Sequence, residues 1–303
     1  MGLIARGEAA LAAAAAALRE TGAQAATAVA DVTASAALRD AADAIVTELG
    51  PPNVWINCAG NGVYGRFTTV PEAQFDWVTA VTYGGTVNGC RVALALMGPR
   101  QRGTIVNVCS AMAFHGLPLM SSYAGAKAAV RGYRPGAAGG ASDGAQPRSC
   151  LHGVPTSREH AVFLARRIPY GLARAAGAPV YQPEVVAVAI HLAAIRGRPE
   201  VVVSGTAVVF SLATRVSPRL IAFMITRLGF DGQLTSDPDA ARLQRPTLFS
   251  PSAEASPVHG PFGRHARRRS LQVWLSRHQR RCMCVGVLAG VATTWVMGRL
   301  ALP

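Results

Sequence analysis

Short apolar runs alternate with longer amphipathic or Ala-rich stretches along the first 130 residues. The runs have the length and composition of buried strands, and the stretches between them have helical spacing. The predicted strands are Gly2–Ala5, Thr27–Val29, Val54–Ile56 and Thr104–Val108, and the predicted helices are Gly7–Glu20, Ser35–Leu49, Pro71–Met97 and Tyr123–Tyr133. This alternation is typical of βαβ units around a parallel sheet, so the sequence predicts an α/β fold.

The alternation of strand-like and helix-like segments stops after Tyr133. Residues 134–150 contain no Val, Ile, Leu or Phe, and a segment without such side chains is not expected to supply a core strand. We therefore predict an irregular segment over 134–166. Periodicity then returns, and the predicted elements are a helix over Pro183–Ile195, a strand over Glu200–Ser204 and a helix that Ser217 and Pro218 open and that ends at Leu228.

The C-terminal part of the chain combines positive charge with an apolar run. Residues 215–281 hold 12 Arg against four acidic residues, and 17 uncharged residues follow over 282–298. That length is at the short limit of a membrane-spanning helix, about 17–25 residues, and an interfacial helix or a core helix of an oligomer stays open as an alternative. The predicted division is a Rossmann-like domain over 1–230, a basic linker over 231–281 and a C-terminal apolar helix over 282–298 that would associate with a membrane.

Composition narrows the class and the location of the protein. The 303 residues carry a formal net charge of +14, but the excess lies in the C-terminal part and consists almost entirely of Arg, so we predict no nucleic-acid partner. Six scattered cysteines in a chain of this length exclude a disulfide scaffold. We expect no N-terminal signal peptide, because Met1 leads directly into a predicted strand. The expected location is the cytoplasm, with membrane anchoring if the C-terminal run inserts.

One group of residues has the types and the spacing of a proton-transfer site. Ser110 follows a predicted buried strand, and Tyr123 and Lys127 lie four residues apart on a predicted helix. Residues at this spacing share a helix face, so we expect the Lys127 ammonium to lower the pKa of the Tyr123 phenol from its ordinary value of about 10. Such a phenol, beside a hydroxyl that holds a carbonyl oxygen, suits proton transfer coupled to hydride transfer. Taken singly, the pair is compatible with a surface contact and the serine with a turn.

In these residues the sequence resembles the short-chain dehydrogenase/reductase family, closely over 1–133 and loosely over 175–230. The family's serine, thirteen residues before the tyrosine of a Tyr-x-x-x-Lys motif, corresponds to Ser110. The resemblance implies a Rossmann-like, doubly wound parallel sheet and hydride transfer between a nicotinamide and a carbonyl or hydroxyl compound of small size. It also implies that Tyr123 moves the proton, that Lys127 holds the nicotinamide ribose and that Ser110 orients the substrate oxygen.

The resemblance further implies a set of cofactor contacts. An Asn-x-Ala-Gly motif of the family corresponds to residues 57–60, Asp31 corresponds to an adenine-contacting aspartate, and Arg6 corresponds to an arginine that meets the 2′-phosphate of NADPH. The implied cofactor is therefore NADP(H), with NAD open as the alternative. The implied cofactor-binding residues are Arg6, Asp31, Asn57, Ala59, Gly60, Tyr123 and Lys127. We predict no metal site, because the cysteines and histidines lack ligand spacing.

Departures from the family pattern leave a rival interpretation open. The glycine turn that would approach a pyrophosphate, and the strand before it, are absent, so the sheet is predicted to be incomplete at its N-terminal side. Thr82 stands where the family has a catalytic Asn, and Asn88 is expected on a different helix face. Residues 134–166 have the composition of a GC-rich gene translated in a shifted frame. The rival is a catalytically inactive, membrane-associated protein without a working cofactor site. For either interpretation a homo-oligomer stays open.

Overall fold

The computed structural model describes residues 1–133, 149–152, 173–174, 180–196, 200–228, 234–235, 248–252, 258–259 and 266–278. The strands are β1 Gly2–Ala5, β2 Ala26–Val29, β3 Val54–Asn57, β4 Thr104–Val108, β5 Ser149–His152, β6 Ala173–Arg174, β7 Glu200–Val202 and β8 Leu234–Thr235. The helices are α1 Glu8–Glu20, α2 Ser35–Leu49, α3 Glu72–Thr79, α4 Gly85–Met97, α5 Ser121–Gly132, α6 Pro183–Arg196, α7 Gly205–Val216, α8 Pro218–Leu228 and α9 over 271–278. The strands and helices predicted for residues 1–133 are confirmed.

Parallel strands form the centre of the structure, in two separate sheets. β1 pairs with β2, from Gly2 opposite Ala26 to Ala5 opposite Val29. β3, β4, β5 and β7 form a four-stranded parallel sheet in that order, while β6 and β8 form a short antiparallel pair. Parallel neighbours need crossover connections, and α1, α4 and α6 lie in them. The predicted α/β class with a Rossmann-like, doubly wound parallel sheet is confirmed.

Helices cover both faces of the larger sheet. Successive residues of a strand point to opposite faces, and Ile105 of β4 packs with Cys90 and Met97 of α4. Its neighbour Val106 packs with Val185 and other residues of α6 on the opposite side. Because both faces are buried, the strand ends rather than the strand faces are left for binding, as is usual for open α/β sheets.

A gap separates β1 from β3. Among the described residues each of these strands is paired on one side only, and a cavity of about 510 Å³ lies between their free edges. Helices α2 and α4 pack against each other below it. Packed helices lie about 8–10 Å apart, which is about twice the 4.8 Å that separates neighbouring strands. Two strands that each pack on one of two adjacent helices therefore leave room for one further strand between them. Val54 and Ile56 of β3 are correspondingly 38% and 41% exposed. The predicted incompleteness of the sheet is confirmed.

The strand β5 corrects the prediction for residues 134–166. It lies within that segment and pairs in parallel with β4 on one side and β7 on the other. The prediction of an irregular segment is therefore wrong for Ser149–His152. The prediction rests on the absence of large apolar side chains up to Cys150. In the structure, neighbouring strands on both sides supply hydrogen bonds to β5, and this sheet context outweighs the weak intrinsic strand propensity of the segment. Residues 134–148 and 153–166 lie outside the described residues.

Part of the predicted basic linker over 231–281 packs on the domain instead. Arg267 forms a parallel bridge with Tyr181, the Ser270 hydroxyl donates to the Val203 carbonyl, and Val273 of α9 belongs to the core cluster of α6. The linker prediction is therefore wrong for residues 266–278. The abundant arginines hid a segment that buries Val273, although its other large apolar side chains, Leu271, Trp274 and Leu275, are exposed. Helix α7 is a further element that the sequence pattern does not predict.

The C-terminal apolar run over 282–298 lies outside the described residues, so its association with a membrane stays a prediction. Within the part of the chain that is described, no helix has the length and apolar character needed to cross a bilayer.

Candidate active site

Ser110 lies where the chain leaves the central sheet. It directly follows Cys109 at the end of β4 and caps a short 3₁₀ turn over Ala111–Ala113, where its hydroxyl accepts a hydrogen bond from the Met112 amide at 3.2 Å. The Ser110 side chain is buried, with 4% of its surface exposed. The strand end thus fixes the hydroxyl at the edge of the sheet where α/β proteins bind ligands.

Tyr123 and Lys127 lie on one face of α5, as their spacing predicts. Both are buried, and the Lys127 Nζ is 5.8 Å from the centroid of the Tyr123 ring. A side-chain hydrogen bond joins Tyr123 to Ser110, and the Lys127 ammonium donates to the Val108 carbonyl at 2.7 Å. The structure therefore brings the three predicted catalytic residues together at the end of β4, and their catalytic roles stay predictions.

The electrostatics of this group differ from the expectation. Burial raises the pKa of the Tyr123 phenol above its ordinary value, an effect that the hydrogen bond from Ser110 opposes. Burial also lowers the pKa of the Lys127 amine. The expected lowering of the phenol pKa is therefore wrong for this structure, because desolvation of the buried phenol is the largest cause of its shift. The phenol is neutral and holds its proton.

A loop of small residues after β3 borders Lys127. A Cβ atom built on Gly60 would lie 3.5 Å from the Lys127 Nζ and 3.6 Å from the Thr82 Oγ1. A Cβ atom built on Gly62, two residues later, would lie 3.4 Å from the ring of Tyr123. Because neither residue has a side chain, the backbone of this loop lies close to the amine and the phenol.

The other members of the Asn-x-Ala-Gly motif occupy different surroundings. The Asn57 side chain accepts from the Trp55 indole at 2.8 Å and donates to the Asn107 side chain at 2.8 Å. It thereby ties β3 to β4 and is not directed at a ligand, so a cofactor contact at Asn57 would use the backbone. Ala59 is exposed between Asn57 and Gly60.

Arg6 and Asp31 meet at the ends of β1 and β2. The Arg6 Nη1 is 3.6 Å from an Asp31 carboxylate oxygen, and the other oxygen accepts from the Thr33 amide at 2.8 Å and the Thr33 hydroxyl at 2.7 Å. Both side chains are one quarter exposed. The structure thus brings the two predicted adenosine-end residues together, each within reach of solvent.

Thr82 is fully buried in a π-helical turn over Ala80–Gly84 that joins α3 to α4. Its hydroxyl is 3.2 Å from both the amide nitrogen and the carbonyl oxygen of Asn61, so it fastens the loop after Gly60. Asn88 donates to the Val32 carbonyl at 2.9 Å, away from Lys127. The expectation that Asn88 lies on a different helix face is confirmed.

A second group of residues at the site has no signal in the sequence. Leu248, in the segment predicted as linker, is 4% exposed and packs in one cluster with Val63, Met112 and Tyr123. Its carbonyl accepts a hydrogen bond from the Trp77 indole at 2.7 Å. Only the folded chain brings residues this distant in sequence together. In the described part of the chain, no group of His, Cys, Asp and Glu residues could hold a metal ion.

Comparisons with known proteins agree with the geometry over the N-terminal part of the chain. A family model described as short chain dehydrogenase matches residues 1–139. "Probable oxidoreductase EphD" of Mycobacterium tuberculosis is 43% identical over 107 residues, which cover 34% of this chain and 17% of that protein. The 3-ketodihydrosphingosine reductase of Bacteroides thetaiotaomicron is 35% identical over 105 residues, which cover 35% of this chain and 39% of that protein. The chain thus spans well under half of these relatives.

Solved structures give similar partial matches. A gluconate 5-dehydrogenase from Burkholderia cenocepacia, in complex with NADP and tartrate, is 26% identical, with 50% of this chain and 59% of that chain covered and a TM-score of 0.46. An NAD⁺-bound xylitol dehydrogenase is 26% identical, with 50% and 58% covered and a TM-score of 0.47.

Proposed function

We propose that this chain, whose residues 1–139 belong to the short chain dehydrogenase family, is an oxidoreductase that transfers a hydride between NADP(H) and a carbonyl or alcohol carbon of a small apolar molecule. The observation that carries the proposal is the convergence of Ser110, Tyr123 and Lys127 in a buried group at the end of β4. A nicotinamide, when bound, supplies or accepts the hydride.

The phenol and the serine hydroxyl can both act on the oxygen of a carbonyl substrate. Burial raises the pKa of the Tyr123 phenol, so the phenol can donate its proton to that oxygen. Ser110, which shares a hydrogen bond with the phenol, can hold the same oxygen.

The residues present fit the two ends of a nicotinamide dinucleotide. Gly60 and Gly62 bring the backbone of their loop close to Lys127 and Tyr123, and ribose hydroxyls beside this loop could accept from the Lys127 ammonium. Arg6 and Asp31, within 3.6 Å of each other, offer a cation for a phosphate and a carboxylate for an adenosine. Together these groups support NADP(H), and NAD(H) stays the alternative. The described residues supply no glycine-rich turn for the diphosphate between the two ends.

The side chains around the phenol support an apolar substrate. Val63, Met112, Met120 and Leu248 pack in one cluster with Tyr123, so the surroundings of the phenol are mostly apolar. Relatives of this chain are named 3-ketodihydrosphingosine reductase, so 3-ketodihydrosphingosine is a reasonable first substrate. We expect the purified protein to oxidise NADPH only when this ketone is added. NADPH oxidation that does not depend on any ketone contradicts the proposal.

An Arg6→Ala variant is expected to bind NADPH at least about 10-fold more weakly relative to NADH than the wild-type protein does. A charge-assisted hydrogen bond to a phosphate is worth about 1.5–3 kcal/mol, and NADH lacks that phosphate. Calorimetric titrations with both nucleotides measure the ratio of the two affinities, and Arg39→Ala on the exposed face of α2 is the control. An unchanged ratio would show that Arg6 does not contact the phosphate.

The gap between β1 and β3 favours a second candidate, a reductase-like protein that binds no dinucleotide. The free strand edges, and the lack of a glycine-rich turn among the described residues, both weaken the diphosphate site. The same titrations decide between the candidates, because the oxidoreductase proposal requires saturable binding of NADPH or NADH by the wild-type protein. Absence of binding by a folded protein supports the second candidate.

A further inference from the structure

Residues 248–252 cross the candidate site, and we call them the strap. Leu248 at one end is buried in the same apolar cluster as Tyr123 and Met120. Phe249 follows with half of its surface exposed, and its ring lies 5.8 Å from the ring of Trp77. Pro251 lies beside Gly7 near the start of α1, where a Cβ built on the glycine would be 3.4 Å away. The strap therefore runs from the phenol to the first β-α connection.

The strap is held by donors that belong to the site. The Leu248 carbonyl accepts hydrogen bonds from the Trp77 indole at 2.7 Å, from the side-chain amide of Asn61 at 3.4 Å and from the Arg6 Nη2 at 3.5 Å. The Phe249 carbonyl accepts from the Arg6 Nη1 at 2.7 Å. Two nitrogens of the guanidinium that is proposed to hold a phosphate are thus directed at the strap.

We propose that the strap is an autoinhibitory segment that competes with NADPH for the site. The inference rests on the proposed function. In the closed state the strap covers the phenol with Leu248 and occupies the Arg6 guanidinium with backbone carbonyls. A nucleotide that uses Arg6 and reaches Tyr123 displaces the strap.

The strap carbonyls and a nucleotide phosphate compete for the Arg6 guanidinium, and this competition makes the strap discriminate between NADPH and NADH. Hydrogen bonds from a guanidinium to a phosphate are roughly twice as strong as those to a neutral carbonyl. A nucleotide with a phosphate at this position therefore displaces the strap, while NADH lacks the group that competes with the carbonyls. Closure also lowers the apparent affinity for any nucleotide by the fraction of molecules that are open.

The test is a pair of strap variants with nucleotide affinity and protease susceptibility as readouts. Leu248→Gly removes the buried side chain, and Trp77→Phe removes one of the two 2.7 Å hydrogen bonds to the strap without altering its backbone. Val258→Gly is the matched control, because Val258 is an exposed apolar residue of the same C-terminal part. Chymotrypsin, which cleaves after Phe, reports strap opening through cleavage after Phe249, and calorimetric titration gives the dissociation constants of NADPH and NADH.

We expect NADPH to accelerate cleavage after Phe249 in the wild-type protein. Leu248→Gly and Trp77→Phe should be cleaved rapidly without nucleotide. Both variants should also bind NADPH at least about 10-fold more tightly than wild type, which is the gain expected if roughly 90% or more of the wild-type molecules are closed. Val258→Gly should behave as wild type. Trp77→Phe serves if Leu248→Gly does not fold.

Two results would overturn the inference while leaving the proposed function in place: faster cleavage of the variants without tighter NADPH binding, or wild-type cleavage rates in both variants. Failure of the wild-type protein and of every variant to bind either nucleotide overturns the proposed function and, with it, the role of the strap.

Discussion

A Tyr123→Phe variant is expected to reduce the proposed ketone substrate at least about 100-fold more slowly than the wild-type protein, because a positioned general acid contributes about 10²- to 10⁴-fold. The phenol is buried and shares a hydrogen bond with Ser110, and burial raises its pKa. Phenylalanine retains the ring and removes the hydroxyl that is proposed to donate the proton. Steady-state rates with NADPH and 3-ketodihydrosphingosine measure the loss, which should appear in kcat.

Two controls separate a catalytic role from a structural one. Tyr64→Phe removes a hydroxyl from another buried tyrosine of the same cluster and should retain most of the activity. The Tyr123→Phe variant itself should bind NADPH as tightly as wild type and should lose no more than about 1.5 kcal/mol of unfolding free energy, the usual value of one hydrogen bond. Full turnover by Tyr123→Phe would remove the phenol from the mechanism.

In the alkaline range the unfolding free energy of the wild-type protein is expected to rise with pH, and a Lys127→Met variant is expected to lack this rise. Burial lowers the pKa of the Lys127 amine in the folded state. Between that lowered pKa and the ordinary lysine value of about 10.4, the unfolded chain carries a proton that the folded chain has released. Unfolding free energy therefore rises with pH in this window, by up to about 1.4 kcal/mol per pH unit.

The change of slope distinguishes titration from packing. Methionine has a similar length to lysine but no proton to lose. The Lys127→Met variant also leaves the Val108 carbonyl without its donor at 2.7 Å, but the free-energy cost of that lost hydrogen bond does not vary with pH. Burial raises the pKa of Tyr123, which lowers stability above about pH 10 in wild type and variant alike. The difference between the two proteins therefore isolates the amine.

Chemical denaturation at about pH 8, 9 and 10 measures this difference, and Arg131→Met on the same helix is the control. The Arg131 guanidinium lies 4.3 Å from the Phe114 ring, and its loss should shift stability equally at each pH. A difference between Lys127→Met and wild type that is constant with pH would mean that Lys127 does not titrate there.

Much of the fold is predictable because local signals and global structure agree over residues 1–133. Helix α2 begins and ends at the predicted Ser35 and Leu49, since Gly50 and the prolines after it stop a helix. The group of Ser110, Tyr123 and Lys127 is predictable for a similar reason, because a strand end and one helical turn are short-range features.

The remaining features depend on long-range contacts that the pattern does not carry. Strand β5 forms from a sequence with weak strand propensity because β4 and β7 flank it. The approach of Leu248 to Tyr123 joins segments more than 100 residues apart. The pKa of Tyr123 was predicted in the wrong direction because spacing indicates which charges are neighbours but not how deeply they are buried. The sequence pattern predicts a sheet that is incomplete at its N-terminal side, whereas the apolar walls of the gap beside β3 are visible only in the structure.

The central claim is that the phenol, the amine and the serine hydroxyl serve a hydride transfer. It is tested most directly with NADPH that carries deuterium at the transferring position of the nicotinamide, incubated with 3-ketodihydrosphingosine and analysed by mass spectrometry. The account predicts deuterium on the carbinol carbon with the wild-type protein and at least about 100-fold slower labelling with Tyr123→Phe. Equal labelling by both proteins, or an unlabelled ketone recovered from a protein that binds NADPH, would contradict it.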